Sequence, residues 1–210
     1  MSEIPHQLSD DEVQRLNTYL LKKRLQVRSY LGKGFSSRIL LVQDGKGTKY
    51  ALKIERSDSP RPGTLKREAE HLKLANSAGI GPKLYDFDPG CRAVLMEYIE
   101  GEPLNQWLLA PQRKASEVLQ LLQNLFGQAE KLDALGLDHG QLAGTGRNIL
   151  VRDNRPVIID FEKASTQRKP HNRSVLAGML IYNPHSVMAK RVRELLRDHV
   201  KKLAESERQR

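Results

Sequence analysis

The stretch "YALKIERSDSPRPGTLKREAEHLK", Tyr50 to Lys73, decides the fold. Its first six residues read as a strand, which sends Ala51 and Lys53 to one face and Leu52 and Ile54 to the other. "SDSPRPG" is a Gly/Pro-rich turn. The next segment reads as a helix with Thr64 as its cap and Gly79 as its stop. On that helix Leu65, Glu68, Leu72 and Ala75 share a face, and Glu70 points nearly opposite. Glu68 is thus an acid inside an apolar stripe, where an unpaired charge is very costly. Lys53, on the inner face of the adjoining sheet, is the natural partner. A lysine that snorkels from its strand to water is the competing reading.

On the N-terminal side, "SDDEVQRLNTYLLKKRL" begins with Ser9 and Glu12 at capping-box spacing and ends in three cations. Val13, Leu16 and Leu20 mark an apolar stripe, so this is an amphipathic helix. Two β-rich runs then flank "DGKG", a hairpin signal. Before them Gly32 and Gly34 lie in a turn between strands. Glycines there let backbone N–H groups approach phosphate oxygens, although a lone Gly-x-Gly equally marks a plain hairpin turn. "PKLYDFD" and "AVLMEYIE" are further short strands. The first hundred or so residues therefore predict a small, mainly antiparallel sheet with one long helix.

The second half is different. "PLNQWLLA" predicts a short helix. "RKASEVLQLLQNLFGQAEKLDALG" predicts a long one with Val118, Leu122, Phe126, Ala129 and Leu132 on one face. Then comes "LDHGQLAGTGRNILV", Leu137 to Val151, a loop that opens with an acid, a histidine and a glycine and ends as a strand. The strands "NILV" and "PVIIDF" flank an "RDNR" turn, and the remainder is helical. Asp160 ends the second strand, and Asn148 precedes the first. One carboxylate and one amide oxygen suit magnesium, which takes few protein ligands, although a strand-end Asp is as often a turn former. The two halves join near Tyr98 to Glu102.

Apolar runs such as "ILLV" and "AVLM" are far shorter than a membrane span of about 20 residues, and the polar start does not read as a secretory signal. Cys91 is the single cysteine, which excludes an intramolecular disulfide, fits a cytoplasmic setting and reads as a structural thiol beside Arg92. His71, His171, His185 and His199 lack metal-ligand spacing and read as surface or structural. The net charge of +10 points to an anionic partner. From Phe161 to Arg210 twelve Lys or Arg face five Asp or Glu. The segment from Lys190 to Arg210 reads as a basic helix with the apolar stripe Val192, Leu195, Leu196 and Val200. It either packs with a solvated basic face or touches RNA or a ribonucleoprotein.

These motifs, in this order, resemble the protein-kinase fold from about residue 29 to residue 163. Their flavour is that of small, minimal kinases of archaea and bacteria, such as the RIO-type enzymes and the kinase subunit of the KEOPS complex. The resemblance implies an α+β, two-lobed chain: a helix over 1–26, a β-rich N-lobe over 27–98, and a truncated, mainly helical C-lobe over 99–210. It implies ATP and Mg2+. Gly32, Lys33, Gly34, Phe35, Ser36 and Ser37 look like the nucleotide loop. Lys53 looks like the strand lysine, with Ala51 beside it, and Glu68 like the helix glutamate. Met96 resembles the gatekeeper, with the backbone of Glu97 and Ile99 towards adenine. His139 heads the catalytic-loop motif, and Asn148 and Asp160 resemble the metal ligands.

Three departures stand out. Ser37 replaces the third loop glycine, Glu162 follows Asp160-Phe161 where glycine is usual, and Gln141 stands in place of the catalytic aspartate. The interval from Gln141 to Asn148 is also two residues longer than the family's. Gln141 can orient a hydroxyl, Asp138 is a substitute base, and Arg147 or Lys163 is a source of positive charge or a plain surface cation. The expected activity is transfer of the γ-phosphate of Mg-ATP to Ser/Thr of a protein substrate. A nucleotide-binding pseudokinase scaffold, an RNA-linked ATPase and a small-molecule kinase are the alternatives.

Overall fold

The structure, a computed structural model, describes residues 8–208, with side chains as far as Arg197. The chain divides into two compact units, with the boundary between Ile99 and Glu100.

The first unit holds helix α1 (Asp10–Lys23), strands β1 (Gln26–Lys33), β2 (Ser37–Gln43) and β3 (Lys49–Glu55), helix α2 (Thr64–Ser77), and strands β4 (Leu84–Asp88) and β5 (Ala93–Glu97). The strands form one antiparallel sheet in the order β1-β2-β3-β5-β4. Strand alternation gives the sheet two unlike faces. Leu40, Val42, Leu52, Ile54, Ala93 and Leu95 join Leu16 and Tyr19 of α1 in the unit's core. On the opposite face Lys53 pairs across strands with Ile39 and Val94, and Ala51 pairs with Leu41 and Met96.

Ser9 and Glu12 form the expected capping box of α1. The buried stripe, however, is Glu12, Arg15, Leu16 and Tyr19, whereas Val13 and Leu20 are half-buried. The helix turns this way because two charged residues are used inside the packing. Arg15 donates to the carbonyls of Glu55 at 2.8 Å and Cys91 at 3.3 Å, and Glu12 meets Arg38 at 3.3 Å. The cap of α2 also differs from expectation. Gly63, at φ 75°, is the N-cap, and Thr64 is already helical; the buried Glu55 carboxylate accepts from the Thr64 N–H at 3.1 Å in its place. The inward face of α2 includes Leu65, Glu68, Leu72 and Ala75, as the spacing predicts.

The second unit holds β6 (Glu102–Pro103), α3 (Leu104–Leu109), α4 (Ala115–Ala134), β7 (Ile149–Arg152), β8 (Arg155–Ile158), a 3-10 turn (Phe161–Lys163), α5 (Asn172–Ala177), a π-helical turn (Gly178–Tyr182) and α6 (Val187–Arg208). β6, β7 and β8 form a small antiparallel sheet. β6 is too short to read from sequence. Its neighbour Gly101 has a backbone reason, because a Cβ there would lie 2.6 Å from the Val151 carbonyl oxygen. The "RDNR" turn is a two-residue hairpin with Asp153 and Asn154 both at positive φ, and Trp107 Nε1 donates to Asn154 Oδ1 at 3.1 Å. α4 buries Val118, Leu121, Leu122, Leu125, Ala129 and Leu132. Phe126 is half-buried instead, with the Arg173 guanidinium 5.9 Å from its ring. On α6, Met188, Ala189 and Val192 are buried and Leu195 and Leu196 half-buried; Val200 and His199 lie outside the residues whose side chains are described.

Candidate functional site

In the first unit the candidate residues gather on the sheet face opposite α1. Lys53 Nζ lies 2.5 Å from Glu68 Oε1, and the two side chains are 8% and 1% exposed. Coulomb attraction in so dry a place is strong, and neither charge tolerates loss of the other. Met96, also buried, stands directly across from Ala51, two residues before Lys53 on the same face. Ile39, Leu41 and Ala51 are only half-buried, so this face keeps an apolar surface beside the lysine. Ile39 went unnoticed in the sequence; its register opposite Lys53 was the available signal. At the end of β5 the Glu97 N–H donates to the Lys83 carbonyl at 2.8 Å, and Ile99 is buried.

The glycine loop lies between β1 and β2. The Gly34 N–H donates to the Ser37 carbonyl at 2.8 Å and closes it. Arg56, which sequence reasoning missed, clamps it from outside: its guanidinium donates to the Phe35 carbonyl at 2.9 Å, and its N–H to the Ser36 carbonyl at 2.9 Å. Asp58 holds that guanidinium in a bidentate pair at 2.8 and 2.6 Å, which lowers the Asp58 carboxyl below its usual range. Lys33 and Phe35 are exposed, whereas Ser36 and Ser37 are buried.

In the second unit the candidate loop from Leu137 to Asn148 is held largely through its backbone. His139 is fully buried; its Nε2 lies 3.0 Å from the Ile159 carbonyl, and its ring packs edge-on to Phe161 at 4.9 Å. The His139 N–H donates to Asn172 Oδ1 at 2.8 Å, while Asn172 Nδ2 donates to the Leu137 carbonyl at 2.8 Å. Asn172 is thus a loop-setting residue; a buried amide at a helix start gave no signal in one sequence. The Asn148 carbonyl accepts the Ile159 N–H at 2.9 Å, which sets Asn148 beside Asp160. Asn148 Nδ2 donates to the Gln141 carbonyl at 3.0 Å, so its amide oxygen is the atom available to a cation. Asp160 adopts φ 67° at the entrance to the 3-10 turn. Glu162 lies within that turn, and the positive φ falls on Asp160.

A carboxylate and an amide oxygen, both hard donors, fit magnesium, which keeps most of its shell as water and phosphate oxygens. Among the described residues no cluster of three or more His, Cys, Asp or Glu could hold a metal by itself.

Asp138 is paired: its carboxylate is 6% exposed and takes Arg168 Nε at 2.7 Å, while its backbone bridges to Ser165. Gln141 is half-buried, and Arg147 and Lys163 are exposed. Cys91 is buried, and burial pushes its thiol up, as suits an inert packing residue. No helix among the described residues is long and apolar enough to cross a membrane.

An antiparallel sheet with a buried strand-lysine and helix-glutamate pair, followed by a helical unit with a His-headed loop and a strand-end aspartate, defines a protein-kinase-like chain. It belongs to the RIO domain family, which matches it over residues 45–179. It is similar to the probable bifunctional tRNA threonylcarbamoyladenosine biosynthesis protein of Methanothermobacter thermautotrophicus, with 33% identity over 102 residues, 48% of this chain and 17% of that protein. It is also similar to the KEOPS complex subunit Bud32 of Pyrococcus abyssi, with 33% identity over 96 residues, 45% of this chain and 42% of that protein. The chain thus spans less than half the length of either relative.

Proposed function

We propose that the chain binds Mg-ATP and transfers its γ-phosphoryl group to a Ser/Thr hydroxyl of a protein. The buried Lys53–Glu68 pair carries this reading. A lysine fixed by a glutamate on an otherwise apolar face costs desolvation energy, and holding the α- and β-phosphates is the role that accounts for it. Gly32, Gly34 and neighbouring backbone N–H groups would cover the phosphates. Ala51, Met96 and the half-buried Ile39 would face the base. Asp160 and Asn148 would hold magnesium, which would supply positive charge to the phosphate oxygens. Gln141 would orient the acceptor hydroxyl through its amide oxygen. Phosphoryl transfer has a loose transition state and depends mainly on positioning, so a residue that orients without taking a full proton supports turnover at a reduced rate.

A second reading is favoured by the relatives' names, which refer to tRNA threonylcarbamoyladenosine biosynthesis and to the KEOPS complex. Here water is the acceptor, and the activity is an ATPase that serves an RNA-modifying assembly. The basic side chains Lys190, Arg193 and Arg197, exposed on α6, suit contact with RNA. Incubation with γ-labelled ATP and magnesium, with a generic protein substrate or with tRNA, separates the two. Label on protein that disappears in Lys53→Ala and Asp160→Ala supports the kinase. Phosphate release that requires tRNA supports the ATPase. Tight nucleotide binding with neither outcome would leave a pseudokinase scaffold and sink both.

A further inference from the structure

We propose that Arg168 is a positioning residue that fixes the catalytic loop from outside. This rests on the phosphoryl-transfer reading but not on the identity of the acceptor. Arg168 follows Asp160 by eight residues, in the segment between the 3-10 turn and α5. Its planar guanidinium makes two bonds at once. Nε donates to Asp138 Oδ2 at 2.7 Å, and Nη2 donates to the Lys163 carbonyl at 2.6 Å. It therefore ties the start of the catalytic loop to the turn that Asp160 opens.

The tie passes directly over Gly140. A Cβ on Gly140 would lie 2.5 Å from Arg168 Nη2 and 2.7 Å from the Lys163 carbonyl oxygen. The loop backbone and the guanidinium are in closest approach there, with Gly140 at φ 75°. Asp138 is further locked by two backbone bonds to Ser165, at 2.9 and 2.8 Å. The next residue along is Gln141, whose carbonyl accepts the Asn148 side chain at 3.0 Å. One continuous set of bonds thus runs from Arg168 through 138–140 to Gln141 and to the amide whose oxygen is available to a cation.

The arrangement also gives Asp138 a task. An acid that is 6% exposed next to the buried His139 serves here to receive the arginine. Lysine cannot substitute for Arg168, because one ammonium does not reproduce a planar fork aimed at a carboxylate and a carbonyl. The ion pair itself adds little stability, since the Arg168 side chain is 51% exposed. Its effect is on geometry.

The test compares wild type with Arg168→Met, Arg168→Lys and Asp138→Asn. Amide hydrogen exchange is read at residues 138–142. Binding of a non-hydrolysable ATP analogue is measured by calorimetry across a magnesium titration. Transfer or release of labelled phosphate is measured as kcat and KM. Arg168→Met should speed exchange in that loop and raise the magnesium concentration needed for half-maximal analogue binding. It should lower kcat roughly 10- to 100-fold, the scale of a misplaced reacting group, with KM for ATP within about twofold of wild type. Arg168→Lys should resemble Arg168→Met, and Asp138→Asn should fall between them and wild type.

Unchanged loop exchange in Arg168→Met overturns the proposal, whatever happens to turnover. A rise in KM at constant kcat also overturns it, because Arg168 would then be a nucleotide ligand. If wild type neither transfers nor hydrolyses, the phosphoryl-transfer reading fails, while the exchange and magnesium data still decide the role of Arg168.

Discussion

The two units fix their central candidate residues in different ways. In the first, Lys53 is set by an opposite charge, Glu68, and the two are sealed between a strand and a helix. In the second, the loop from Leu137 to Asn148 is gripped mainly at its backbone, by Asn172 at Leu137 and His139 and by Asn148 at the Gln141 carbonyl, with Arg168 holding the Asp138 carboxylate beside Gly140. A charge pair is intolerant, because removing one member strands the other in a dry place. A backbone grip is indifferent to what the gripped residue carries. This is why the residue at position 141 can depart from the family pattern while the loop keeps its shape.

The sharpest way to break this contrast is Lys53→Met. Leaving Glu68 buried without its lysine should cost about 3–5 kcal/mol in urea unfolding and abolish nucleotide binding by calorimetry. The double variant Lys53→Met/Glu68→Leu should recover most of the stability and none of the binding. Recovery of binding would remove Lys53 from the site. Next is Gln141→Asp, which restores a carboxylate in a loop whose form does not depend on it. Labelled-phosphate turnover should rise by up to about 10²-fold with unfolding unchanged within about 0.5 kcal/mol. Turnover that stays flat would mean that proton handling does not limit the reaction.

Gly140→Ala tests the grip itself. It places a side chain at positive φ against a backbone oxygen and should cost about 1–3 kcal/mol. An alanine tolerated without loss would show that the loop and the Arg168 segment part easily. The smallest effect is expected at acid pH. Lys22 and the Cys91 and Gly90 N–H groups hold the Asp88 carboxyl below its ordinary value. A depressed folded pKa contributes stability that is present above the unfolded value and lost as pH falls through the folded one. Asp88→Asn should therefore flatten the acid limb of the stability profile below about pH 4 and leave neutral pH little changed.

What the sequence made legible follows the same division. Glu68 was readable because a helical stripe with one acid in it implies a partner, and strand alternation put Lys53 on the right face. The antiparallel character of the first unit's sheet followed from its hairpin signal, whereas the place of β5 between β3 and β4 did not. The grip in the second unit was not readable. Arg168 reaches a carboxylate and Asn172 a backbone amide thirty or more positions away, and no periodicity records such a bond. Asp138 shows the same limit, since its acidity was visible in the sequence and its arginine was not. On α1 the apolar stripe was placed one residue off, because Glu12 and Arg15 are buried through partners that lie in distant strands.

The bond from Arg15 to the Cys91 carbonyl has a consequence for synthesis. It spans 76 positions, so α1 is made well before the last strand that seats it. At ordinary elongation rates that wait is about 4–15 s. During it Leu16 and Tyr19 lack Ala93 and Leu95, the last of the strand residues that join them in the core. The nascent chain thus carries, for a time, an apolar helix face that the finished protein buries. Its yield in cells should depend on chaperone supply more than its folded stability would suggest.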